Sequence, residues 1–105
     1  MADFNKPKIV KIGIFKYDIK YHDKLESDKK DEEYYGEHDT FKMELRISER
    51  FEPIRQKASI IHESLHAIDD HNGLDLSEDQ VISLANNLIM YMRDNKDIIR
   101  YILSN

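Results

Sequence analysis

Ser59-Ile60-Ile61-His62-Glu63-Ser64-Leu65-His66-Ala67-Ile68 is the stretch on which the fold turns. Around it Ile54, Ala58, Ile61, Leu65 and Ile68 step by four, three, four and three residues, one stripe of an α-helix. Pro53 suits the first turn of that helix, and Gly73 lies just past its end. Side chains four residues apart stand one above the other on a helix. His62 and His66 therefore share the edge of the apolar stripe, where a helix borders a cleft, and Glu63 points further round.

A second helix follows with a sharp start. Ser77 and Gln80 form a capping box, and Leu76 is placed to staple onto Val81. Its stripe is Val81, Ala85, Leu88 and Met92. Asp94-Asn95 interrupts it, and Ile98, Ile99, Ile102 and Leu103 make a last short helical piece.

Upstream of the first helix the period is two. Phe41, Met43, Leu45 and Ile47 alternate with Lys42, Glu44, Arg46 and Ser48, a half-buried strand and the second arm of a hairpin. Asp39-Thr40 is its turn. Residues 8–21 read as one further strand, with Phe15, Tyr17, Ile19 and Tyr21 on one parity and Val10, Ile12 and Ile14 on the other. Either both faces are apolar there or a bulge near Gly13 shifts the phase. Nine of the twelve residues in 22–33 are charged, which reads as a solvated loop. Strands followed by helices predict an α+β domain. The expected architecture is one domain over residues 1–105, a small antiparallel sheet packed on the His62–His66 helix and a C-terminal helix.

Composition narrows the function. Sixteen Lys and Arg against 21 Asp and Glu leave a net charge of −5, which argues against a nucleic-acid binder, since phosphate contacts need clustered cations. No cysteine is present, which excludes a disulfide framework, a thiolate zinc site and a cysteine nucleophile. Apolar runs are far too short for a membrane span, and the first eight residues hold no apolar signal core. The expectation is a cytoplasmic protein with neither nucleic acid nor membrane as partner.

His62-Glu63-Ser64-Leu65-His66 is an H-E-x-x-H motif, whose two imidazoles reach a single Zn²⁺. Glu63 is then the general base that takes a proton from a water activated by the ion. A catalytic zinc needs a third protein ligand and an open position. The extended metzincin spacing has a glycine three residues, and a His or Asp six residues, after the second histidine. Asp69 and Asn72 stand there instead, and His71 is one place off. Glu78, in the first turn of the second helix and on the same face as Val81 and Ala85, is the better third ligand. A carboxylate on an inward face is costly unless a cation compensates it. The plain alternative is a first-turn Glu favoured by the helix dipole.

The segment Leu76-Ser77-Glu78-Asp79-Gln80-Val81 with Leu84-Ala85, downstream of His62–His66, resembles the ImmA/IrrE-type zinc metallopeptidases, and the chain looks most like their very short phage- and prophage-encoded members. The resemblance covers roughly residues 8–95. It implies a minimal zincin-like fold, a zinc held by His62, His66 and Glu78, and hydrolysis of a peptide or protein substrate. The family's third ligand opens a Glu-x-x-Ala pattern, which here reads Glu78-Asp79-Gln80-Val81. Family members with known targets cleave helix-turn-helix repressors. The alternative function is a catalytically silent, zinc-stabilised binding module, phage-encoded and acting on a host protein. The presence of Glu63 favours the enzyme, since a structural site has no use for it.

Other residues carry weaker signals. Asp70, four after His66, is placed either to orient that imidazole or as a solvated charge. Tyr34, Tyr35, Tyr91 and Tyr101 are oxyanion candidates, against the commoner role of tyrosine in a core. His38 and His22 read as surface residues. The Lys42, Glu44 and Arg46 face reads as solvated, or as flanking an edge that accepts an extended peptide.

Overall fold

The computed structural model describes residues 6–26 and 34–105. Its elements run β1 (Ile9–Ile12), β2 (Phe15–His22), β3 (Gly36–Asp39), β4 (Glu44–Ser48), α1 (Pro53–Asn72), α2 (Glu78–Asp94) and α3 (Lys96–Leu103). This is an α+β chain with one four-stranded sheet in the order β1-β2-β4-β3. Residues 27–33 of the charged loop lie outside the described residues.

The expected single strand over 8–21 is a hairpin. Ile12 pairs with Phe15, so Gly13-Ile14 is a two-residue loop. Gly13 sits at φ 62°, which glycine adopts without a Cβ penalty, and a glycine first in such a loop matches the right-handed twist of the strands. The turn accounts for the change of parity. Residues directly opposite one another share a face, so Val10 joins Tyr17 and Ile12 joins Phe15 although their numbers differ in parity. There is no bulge, and Ile14 at the loop tip is exposed.

The sheet is mixed rather than antiparallel. β1 and β2 are antiparallel, as are β3 and β4, but β4 lies parallel to β2 with Ile19 opposite Leu45 and Tyr21 opposite Ile47. Burial explains the order. Leu45 and Ile47 are fully shielded, so β4 takes the interior seat, and the polar β3 (Gly36-Glu37-His38-Asp39) goes to the edge. β4 therefore fills the slot beside β2 and runs the same way. Its start is also later than expected. The Asp39 carboxylate accepts the Lys42 N–H at 3.0 Å, Met43 turns at φ 53°, and Phe41 stands wholly in solvent in the connecting loop.

The core consists of Ile12, Tyr17, Ile19, Leu45, Ile47 and Ala67, with Ile60 and Ile68 of α1 packed against it. The face of α1 that is fully buried is the line Ser59, Glu63 and Ala67, not the expected Ile54–Ile68 stripe. Ala58, Ile61, Leu65 and Ile68 are only half-buried, and Ile54 is exposed. Small side chains let the helix approach closely, and the two polar members of the line are bonded. Ser59 Oγ donates to the Arg55 carbonyl at 2.9 Å, and Glu63 is bonded to a β3 side chain described below.

The second helix begins as its sequence dictates. Gln80 N–H donates to Ser77 Oγ at 3.1 Å, and Ser77 N–H donates to Gln80 Oε1 at 2.8 Å. Val81 and Ala85 are its buried positions. Further along, Leu84, Leu88, Tyr91 and Met92 are exposed, and so are Ile98, Ile102 and Leu103 of α3, which touches only α2 among the described elements. No helix of the described residues is long and apolar enough to cross a membrane.

Leu45 is the most informative core position, because it is fully shielded in an interior strand opposite both Ile19 and His38. Leu45→Ala is expected to lower stability by about 2–5 kcal/mol, a large share of the roughly 5–15 kcal/mol typical of a domain. The midpoint of urea unfolding, read at unchanged slope, checks this.

Candidate metal centre

Residues four apart on α1 bring His62 and His66 onto adjacent turns of one face. Their Nε2 atoms are 3.2 Å apart. Across from them, at the first position of α2, Glu78 places Oε1 2.9 Å from His66 Nε2 and 3.1 Å from His62 Nε2. The three atoms form a nearly equilateral triangle. Two ligands each about 2.05 Å from a tetrahedral zinc are about 3.3 Å apart, so the triangle is close to the base that such an ion requires. The donor chemistry agrees: two imidazole nitrogens and a carboxylate oxygen converge. A single proton bridges one edge of the triangle, whereas a cation serves all three corners. Glu78 retains 63% of its side-chain exposure, so this side of the triangle is open to solvent.

The turn between α1 and α2 makes this approach. Gly73 ends α1 in the left-handed region at φ 62°, and its N–H donates to the Asp69 carbonyl at 2.7 Å. The Asp69 carboxylate accepts the N–H groups of Asp75 at 2.7 Å and Leu76 at 3.1 Å. Asp75 supplies a second positive φ, of 57°. The capping box then sets α2 with Glu78 at its head.

The other third-ligand candidates are engaged elsewhere. Asp69 closes this turn. His71 stacks on Phe15 with ring centroids 4.1 Å apart, and its Nε2 lies 2.6 Å from the Tyr17 hydroxyl, on the sheet side of α1. Asp70 accepts from Thr40 Oγ1 at 2.6 Å and lies 3.2 Å from His38 Nε2. It therefore braces the β3 side of the site and does not hold the His66 imidazole.

Glu63 is 6% exposed, and its Oε1 lies 3.0 Å from His38 Nδ1. The His38 ring also stacks on His66, with centroids 4.9 Å apart and planes 9° from parallel. The hydrogen bond to Glu63 raises the His38 pKa above the usual histidine value; burial opposes this, and the negative charges of Glu63 and Asp70 add to it. His38 was expected on the surface, and the structure places it inside the site. Its spacing from His62 carries no local signal, because only the pairing of β3 and the packing of α1 bring the two segments together.

A cleft of about 350 Å³ opens between the head of β3, α1 and α2. Tyr34, Tyr35 and Gly36 line one side, Arg55, Ser59, His62 and Glu63 the second, and Glu78, Ile82, Ala85 and Asn86 the third. Two of the three motif members, His62 and Glu63, thus reach the same space. Tyr35 packs edge-on against Phe51, and the Arg55 guanidinium lies 4.5 Å over its ring. Of the four candidate tyrosines, Tyr34 and Tyr35 line the cleft; Tyr91 and Tyr101 are exposed on α2 and α3, away from it. The Lys42, Glu44 and Arg46 face flanks no free edge, since β4 is interior. Arg46 there joins Glu37 at 3.1 Å and Glu44 at 2.6 Å. His22 ends β2 with Nε2 shielded from solvent.

Compared with protein-family models, with curated proteins and with solved structures, the chain matches none.

Proposed function

We propose that this chain is a minimal zinc-dependent metallopeptidase that hydrolyses a peptide or protein substrate. The observation that carries the reading is the meeting of His62, His66 and Glu78 within hydrogen-bond distance of one another, beside a cleft that His62, Glu78 and Glu63 line. His62, His66 and Glu78 hold the ion, and the solvent side of their triangle leaves room for a fourth ligand. A bound Zn²⁺ supplies Lewis acidity toward the scissile carbonyl and makes water a stronger acid. Glu63 accepts the proton of the attacking water and delivers it to the departing amine, the two halves of general acid–base catalysis. Tyr34 and Tyr35 border the cleft and are hydroxyl candidates for the carbonyl oxygen. β3 is an edge strand without an outer strand partner among the described residues, which suits an extended substrate. In this reading the arrangement is zincin-like, and the resemblance to the ImmA/IrrE-type group supports it from the sequence side.

Elemental analysis of protein purified without chelator is expected to find about one zinc per chain, since three converging ligands make one site. The loaded protein should cleave members of a random-sequence quenched-fluorescent peptide library, and a chelator should stop it. Well under half an equivalent of any transition metal, not restored by added zinc, overturns the reading. Full zinc with no cleavage favours a silent zinc-stabilised binding module.

A further inference from the structure

We infer that His38 is a positioning residue that holds Glu63 in its working orientation; this rests on the peptidase reading of the site. Glu63 is almost completely buried, and a buried carboxylate is stable only with a donor. Among the described residues that donor is His38, whose Nδ1 is 3.0 Å from Glu63 Oε1. Oε2 has no hydrogen-bond partner among the described residues and is left to accept a proton.

Alternation along β3 explains how one strand does this. Gly36 and His38 are two residues apart and so share a face. At Gly36 a Cβ would stand 3.2 Å from Glu63 Cγ and 3.4 Å from Oε2, so the missing side chain is the room in which the carboxylate lies. His38 then fixes one end of that carboxylate. The histidine is itself held on two further sides. Asp70, at the end of α1, is 3.2 Å from Nε2 and is tied to Thr40 by a 2.6 Å bond, while the His66 ring covers its face. A general base works only within reach of the proton that it removes, so fixing its rotamer is worth turnover without contact with the substrate.

The test uses the zinc-loaded chain and a peptide that the wild type cleaves from the quenched-fluorescent library. His38→Ala should bind zinc in full and show kcat lower by roughly 10–100-fold at little-changed KM, the loss usual for a supporting partner. His38→Asn places an amide N–H where Nδ1 stood, and should recover most of the turnover although it loses the bond to Asp70. This rescue separates positioning from a structural role, and it covers the case in which the alanine variant folds poorly. Equal kcat in wild type and His38→Ala overturns the proposal alone, as does an asparagine variant that is folded and zinc-loaded yet as slow as alanine. No cleavage by the wild type overturns the peptidase reading and the positioning role with it.

Discussion

Glu63→Gln is expected to keep its zinc and to lose peptide hydrolysis by about 10²–10⁴-fold in kcat, the range that a positioned general base contributes. The amide has nearly the shape of the carboxylate, so it fits the space against Gly36. Its carbonyl oxygen still accepts from His38 Nδ1, which now bonds Glu63 Oε1 at 3.0 Å. Neither the packing of α1 on β3 nor the three converging atoms of His62, His66 and Glu78 is touched by the change. What disappears is basicity: a neutral amide takes no proton from water. Because Glu63 is buried, replacing its charge with an amide relieves a desolvation cost instead of adding one. The lost attraction between the Glu63 carboxylate and His38 offsets that relief, so the unfolding midpoint of the apo variant is expected near that of the wild type. Steady-state kinetics on one cleaved peptide, with zinc content measured on the same sample, decides the matter. Equal rates in the two proteins remove Glu63 from the chemistry.

Local pattern told most about this site, and long-range pairing told least. The His62/His66 spacing and the Ser77/Gln80 box are contained within single helical turns, so the sequence already carries them and the atoms agree. Val81 and Ala85 are buried as their spacing predicts, but Glu78 at the head of that face is largely exposed, so the expected burial cost was absent and its meeting with the histidines comes from the turn between α1 and α2. The Gly13-Ile14 hairpin was half legible: a phase change was visible, but parity alone does not distinguish a bulge from a two-residue turn. The parallel pairing of β2 with β4 depends on which arm of the β3–β4 hairpin sits inside, a competition settled by the burial of Leu45 and Ile47. The sheet-facing line of α1 was hidden because its members are Ser59, Glu63 and Ala67, residues that an apolar count passes over. His38 was hidden for the same reason that it matters. Its partners Glu63 and Asp70 are 25 and 32 residues away in sequence, and only the register of β3 brings them near.

Glu78→Ala is expected to weaken zinc binding by more than the roughly 10–100-fold that loss of an outer partner costs, because it removes one of the three proposed direct ligands. Among the described residues the other candidates do not substitute. His71 is held against Phe15 and Tyr17 on the sheet side of α1, and Asp69 is spent on the backbone of Asp75 and Leu76. Asp70 is bonded to Thr40 and faces His38. Any of these would have to break its own contacts to reach the histidines. The fold should tolerate the change well. Glu78 is the most exposed of the three proposed ligands, and the start of α2 is secured by Ser77 and Gln80 rather than by the Glu78 side chain. The local losses are the contacts of Oε1 with His66 and His62 and a favourable interaction with the helix dipole, the latter about 0.3–1 kcal/mol. His71→Ala provides the opposite control. It should destabilise the packing on Phe15 and leave zinc affinity near the wild-type value. Competitive zinc titrations of both variants against a chromophoric chelator compare them directly. Wild-type affinity in Glu78→Ala together with loss in His71→Ala would place the third ligand at the end of α1, and would overturn both the triangle of donors and the cleft chemistry built on it.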